Sequence, residues 1–188
     1  MDNMDSVIKR DGEREPFSFD KILSRVTRLG LNKNGENELS INYTGLVQKI
    51  IDRLYDGIPT SQIDELTAQQ CASLITTHPD YGELASRLLI SNHQKNTLPI
   101  YAMVVKQLYE FKDIHNKSSP LVSKELYDIV TQNAHEIQNM LDYDRDFLLD
   151  YLVLKRLKEH IYNVSIIKSL NVLSICGCAL LSQFTKII

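Results

Sequence analysis

Residues Val7–Ile22, "VIKRDGEREPFSFDKI", change their hydrophobic period part-way along. Val7 and Ile8 precede the pair Asp11-Gly12 and Phe17 follows it, the pattern of a β-hairpin whose turn takes a positive φ at glycine. From Ser18, whose oxygen suits the free amides of a helix start, Ile22, Val26 and Leu29 recur at helical spacing until Gly30 ends the pattern. A charged hairpin running straight into an amphipathic helix predicts a small sheet laid on helices. Downstream, "NKNGENELS" reads as a loop, and "YTGLVQKIIDRLYDG" places Leu46, Val47, Ile50, Ile51 and Leu54 on one helical face that should end at Gly57. Ile58 is a candidate third strand. Pro59 and Thr60 open a third helix through Ile63, Leu66, Cys71, Leu74 and Ile75, broken at His78-Pro79, and a fourth runs from Tyr81 through Leu84, Ala85, Leu88 and Leu89. The expected fold class is therefore α+β: a hairpin or three-stranded sheet capping four helices over residues 6–97, enough to enclose a core.

From 98 to 151 the pattern is mainly helical. Ile100, Met103, Val104, Leu108 and Phe111 share a face, "HNKSSP" is a polar loop, and "KELYDIVTQNAHEIQNML" reads as one continuing helix. A formal net charge of -3 over 188 residues argues against a general polyanion surface, so no nucleic-acid partner is expected. The acidic start "MDNMDSVIKRDG" lacks the basic segment and apolar run of a secretory leader, and a cytoplasmic protein is expected. Cys71, Cys176 and Cys178 make neither a zinc ribbon nor a disulfide framework. His78 reads as a helix-ending residue, while His93, His115 and His135 lack partners at ligand spacing, so no protein metal site is expected. Asp142, Asp144 and Asp146 in "LDYDRDF" read as surface and helix-entry residues. On residue type alone, Lys9 and Arg10 are a solvated hairpin face and Asp64 a first-turn carboxylate behind a Thr60 or Ser61 cap.

Taken in order, "VIKRDG", "FDKI", "TSQIDEL", "HPDYGELASRLLISN", "HNKSSPLVSK" and "LDYDRDF" resemble the ATP-cone and adjoining segment at the N-terminus of the large subunit of class I ribonucleoside-diphosphate reductase. The resemblance runs as far as Tyr151. It implies an allosteric ATP or dATP, accompanied by Mg, with contacts at Lys9 and Arg10, along Glu15, Pro16, Phe17, Ser18, Phe19, Asp20 and Lys21, and at Thr60 and Asp64. Lys9, Arg10 and Lys21 would neutralise the triphosphate, helix-start amides would add donors, and Thr60 and Asp64 would bond the sugar or base. In the full-length family the partners are further large subunits and a small radical subunit, with no membrane. The catalytic barrel and its cysteines are not expected in this chain, which then has no catalytic residue and serves as the reductase's nucleotide-sensing end, inactive alone. The alternatives are a stand-alone regulatory module, such as the cones that follow zinc ribbons in a bacterial repressor family, or a helical interaction module that binds no nucleotide.

After Tyr151 the resemblance stops. The family continues with a run like "FGFKT" and then "ERPQHM", whereas this chain reads "LVLKRLKEHIYNVSIIKSLNVLSICGCALLSQFTKII". If Leu152, Val153 and Leu154 are encoded TTG GTT TTA, stepping back one base gives TTT GGT TTT and the start of a lysine codon, Phe-Gly-Phe-Lys. The same step across Asn171–Cys176 permits Glu-Arg-Pro-Gln-His-Met. Residues 152–188 are accordingly expected to be an out-of-frame tail, poorly packed, in which Cys176 and Cys178 carry no chemistry. A tail anchor is the rival reading, since Ser169–Thr185 is uncharged, but that stretch falls short of the roughly 20 apolar residues a span needs.

Overall fold

Gly12, at φ 88°, turns the chain between β1 (Ser6–Ile8) and β2 (Arg14–Pro16), whose antiparallel register sets Val7 opposite Glu15. The turn is closed by the Lys9 amide donating to Glu13 O at 2.9 Å and the Gly12 amide to Lys9 O at 3.1 Å. The third strand, β3 (Ile58–Pro59), pairs in parallel with β1, giving the order β2-β1-β3. The computed structural model describes residues 6–31 and 39–162, with side chains to residue 157. The loop over 32–38, Cys176, Cys178, the uncharged stretch 169–185 and the second frame-shifted motif lie outside the described residues.

Helix α1 (Phe19–Leu29) starts where the sequence places it, with Ser18 as N-cap and Gly30 at the C-cap. Helix α2 (Tyr43–Ile51) stops short of the expected Gly57. Arg53 and Leu54 donate to Ile50 O and Ile51 O at 2.9 and 3.0 Å, tightening the chain into turns, and Gly57 then donates to Ser6 O at 2.9 Å. Pairing β3 beside β1 requires that early exit. Helices α3 (Thr60–Ser73) and α4 (Asp80–Lys95) complete the helical layer.

Two apolar clusters fix these elements. The larger joins Val26, Leu46, Val47, Ile50, Ala68, Cys71, Leu84, Ala85 and Leu88, and the smaller, under the sheet, joins Val7, Ile58 and Ile63 with Phe17 packed against it. Leu54 and Ile22 touch both. Leu46, Ile50, Ile58, Leu84 and Leu88 are fully buried, and each contributes about 1.5–3 kcal/mol relative to exposure.

The described residues fall into two compact units, those within 6–92 together with 149–154, and 93–148 together with 155–162. The second holds α5 (Tyr101–Tyr109), α6 (Lys124–Gln132), α7 (Ala134–Met140) and a 3-10 turn over Tyr143–Leu148. The single helix expected from Lys124 is two helices. Asn133, at φ -111° and ψ 25°, interrupts it, and its side-chain amide donates to Ile129 O at 2.9 Å. Tyr109 and Tyr127 stack with ring centroids 4.5 Å apart, holding α5 against α6. Asp146 is not the surface residue expected: it is buried and accepts from Gln94 Nε2 at 2.9 Å. Helix α8 (Tyr151–Tyr162) begins with Tyr151 buried in the larger cluster of the first unit, after which Leu152 and Val153 are 63% and 42% exposed. Among the described residues no helix is long and apolar enough to cross a membrane.

Candidate functional site

Two ionic groups meet where the β1–β2 turn approaches α1 and α3. In the first, Glu15 on β2 accepts from Lys9 in the turn at 3.2 Å and from Lys21 on α1, while Glu13 lies 3.6 Å from Lys9 at the rim. Glu15 is the least exposed of these side chains; the ammonium-bearing side chains keep 40% and 66% exposure. In the second, Asp64 on α3 accepts at one oxygen, Oδ2, from Arg10 Nη2 at 3.0 Å and Arg25 Nη2 at 3.3 Å. Arg10 also donates to Asn92 Oδ1 at 2.7 Å, and Arg25 to Ser91 Oγ at 2.9 Å. Asn92 Nδ2 donates to Ser61 O at 3.1 Å, tying α4 to the start of α3.

Lys9 and Arg10 are neighbours in the turn, and Lys21 and Arg25 are one helical turn apart on α1, so the two groups lie side by side. In each, two cations share a carboxylate, Glu15 or Asp64; with Glu13 at the rim the first group is balanced, while the second keeps one positive charge in excess. That sign suits a polyphosphate. Burial of Asp64 is tolerated because it is paired twice; a lone buried carboxylate would cost several kcal/mol, on the order of a broken buried ion pair.

The other residues singled out from sequence divide by role. Pro16 closes β2 opposite Ser6 and is exposed. Phe17 packs on the small cluster and Phe19 on the large one. Ser18 Oγ accepts the Lys21 amide at 3.4 Å, capping α1, and Asp20 is exposed in the first turn, where the helix dipole favours it. Thr60 is the half-buried first residue of α3, whose N-cap is Pro59 and whose start has no side-chain cap. Asp64 is therefore not a first-turn carboxylate behind a Thr60 or Ser61 cap; it sits beyond the first turn and faces inward. Arg25 carries no sequence signal that separates it from ordinary helix surface, and Ser91 and Asn92, although they end the stretch "HPDYGELASRLLISN", carry none that marks them as partners of Arg25 and Arg10; the tertiary contacts reveal those roles. Among the described residues no group of three His, Cys, Asp or Glu side chains is placed to hold a metal ion.

Residues 5–96 match the family model of the ATP cone domain. The chain carries an ATP cone. The sheet, α1–α4 and both ionic groups fall within those residues. Over its N-terminal 81% the chain is similar to ribonucleoside-diphosphate reductase large subunits. It is 42% identical over 152 residues to the large chain of Cryptosporidium parvum, covering 81% of this chain and 18% of that protein. It is 41% identical over 155 residues to large chain 2 of Saccharomyces cerevisiae, covering 81% and 17%. With the large subunit of Plasmodium falciparum isolate Dd2 it shares 41% identity over 152 residues, covering 81% and 18%. The chain thus spans less than a fifth of the length of these relatives.

Proposed function

We propose that this chain is the nucleotide-sensing regulatory region of a ribonucleoside-diphosphate reductase large subunit, with ATP or dATP held by the β1–β2 turn, α1 and the start of α3. The observation that carries this reading is the gathering of four cations, Lys9, Arg10, Lys21 and Arg25, into two adjoining ionic groups inside the cone, of which Arg10–Asp64–Arg25 has a cation in excess. Lys9, Lys21 and Arg10 supply charge to the phosphates, while Thr60 and Asp64 face the sugar or base. A magnesium ion arriving with the nucleotide takes its oxygens from phosphates and water, the usual arrangement for that ion. ATP and dATP differ by one hydroxyl, and a coupling of about 1–3 kcal/mol is enough for such a difference to shift an assembly equilibrium of large and small subunits.

Calorimetric titration of the chain with ATP and with dATP tests the proposal, using wild type and the Lys9→Ala, Arg10→Ala double variant. Each charge-assisted phosphate contact contributes about 1.5–3 kcal/mol, so the double variant should bind roughly a hundredfold more weakly or worse. Its fold should survive, because Asp64 keeps Arg25 as counter-ion. Equal affinities in the two proteins would show that the hairpin holds no triphosphate.

A further inference from the structure

We infer that Arg25 is a positioning residue of this site: it holds the Asp64 carboxylate toward the nucleotide while Arg10 moves between Asp64 and the phosphates. The inference rests on the nucleotide-binding reading above and adds to it a division of labour between two cations that share one oxygen. Arg25 and Arg10 both reach Asp64 Oδ2, at 3.3 and 3.0 Å, but they are not equivalent. Arg25 stands on helix α1, its side chain is 16% exposed, and the Nη2 that reaches Asp64 also donates to Ser91 Oγ on α4 at 2.9 Å. Arg10 also has a second tie to α4, Asn92 Oδ1 at 2.7 Å, so the difference lies in its place: it stands in the turn near Gly12, and its side chain is 30% exposed.

A triphosphate entering at Lys9 and Lys21 competes for Arg10, the more accessible of the two guanidiniums. Arg10 can leave only if the buried carboxylate behind it keeps another counter-ion, because a buried charge stripped of its partner is strongly unfavourable. Arg25 is that counter-ion. With one nitrogen, Nη2, shared between Asp64 and Ser91, it also fixes the direction in which the carboxylate offers its remaining lone pairs. Without Arg25, Arg10 becomes the only cation Asp64 has among the contacts described, so the phosphates lose Arg10 and the sugar or base loses a fixed acceptor. Affinity and discrimination should then fall together.

The test is calorimetric titration of the full chain with ATP and dATP for wild type, Arg25→Met, Arg25→Lys, Ser91→Ala, Asp64→Asn and the Arg25→Met, Asp64→Asn double variant, each with its melting temperature. Arg25→Met should change the ATP:dATP affinity ratio by about fivefold or more, in the same direction as Asp64→Asn. In the Asp64→Asn background it should change the ratio by less than about twofold, since residues acting through one contact are not additive. Arg25→Lys should restore part of the effect, because an ammonium reaches one of the two partners. Ser91→Ala, the mildest change, should move the ratio the same way and keeps the test open if Arg25→Met fails to fold. A purely structural Arg25 would instead lower the melting temperature and weaken both nucleotides equally in both backgrounds, which would overturn the inference. If wild type binds neither nucleotide, the nucleotide reading falls and takes this one with it; if wild type binds and Arg25→Met leaves the ratio unchanged, only the role of Arg25 falls.

Discussion

Asp64 and Cys71 are both buried on α3, and the fold treats them differently. Asp64 is given two guanidiniums, whereas Cys71 is packed among apolar side chains of the main cluster. Burial there pushes the Cys71 thiol up from 9.0 to about 12. The folded protein therefore keeps a proton that the unfolded chain releases above its ordinary pKa. Stability from this group is complete below about pH 9 and declines as pH rises from 9.0 toward about 12. The slope approaches 1.4 kcal/mol per pH unit at most, about one group's worth. Tyr43, raised chiefly by burial, with Asp80 adding to the shift and Arg87 opposing it, acts in the same direction. Urea midpoints should thus fall between pH about 8 and about 10.5, and Cys71→Ser should flatten part of that fall. Peptide mapping after alkylation gives an independent reading: Cys71 should stay unlabelled in the native protein and react once urea unfolds it. Rapid native labelling at Cys71 would show that the thiol is not sealed in this cluster.

At the scale of elements, the junction of α1 and α2 depends on a missing side chain. Gly30 has an ordinary φ of -85°, so it is not there for backbone freedom. The Tyr43 phenol packs where its Cβ would stand, and Tyr43 Oη donates to Leu39 O at 3.3 Å. Arg87 reaches the same helix end, donating to Leu29 O at 3.2 Å. Gly30→Ala should therefore destabilise by about 1–3 kcal/mol in urea titration, the usual cost of overpacking, and should cost much less in a Tyr43→Ala background. An unchanged midpoint for Gly30→Ala would mean that the ring moves aside freely. Both ends of α1 were legible because a capping serine and a glycine bracket a clean helical period. The early end of α2 was not, since "RLYDG" continues the helical pattern and only the pairing of β3 with β1 pulls it out of register. Nor was the break at Asn133, a residue that many helices accommodate. The inward face of Asp64 was hidden for a related reason: Ile63, Asp64, Thr67, Ala68, Gln70 and Cys71 are all buried, so α3 has contacts around much of its circumference and no single apolar stripe to read. Lys21, Arg25 and Arg28 resemble a solvated stripe, and nothing in their spacing marks Arg25 as the one that turns inward to a carboxylate.

For the whole molecule, the change in sequence character after Tyr151 calls for an account. Tyr151 is 7% exposed in the main cluster, yet Leu152, Val153 and Leu157 leave 63%, 42% and 37% of their surfaces in solvent within the next two turns of α8. Leu148 and Met140, before Tyr151, are as exposed at 76% and 66%, so exposure alone does not mark the boundary and the loss of similarity does. The similarity to reductase large subunits covers the N-terminal 81% of the chain, which is the part before this change. A one-base step in reading frame accounts for the change with few assumptions: Leu152–Leu154 and Asn171–Cys176 can each be written in codons that, moved back one base, spell the two family motifs in their order. We therefore predict that nucleotide sequence from codon 151 onward reads TTG GTT TTA at Leu152–Leu154, and that restoring the frame yields Phe-Gly-Phe-Lys followed by Glu-Arg-Pro-Gln-His-Met. We also predict that limited proteolysis cuts the chain beyond Tyr151 well before it cuts within the cone. Different codons at these positions, together with a segment after Tyr151 that resists protease as well as the cone does, would make the stretch after Tyr151 a selected part of the protein and remove the frame account.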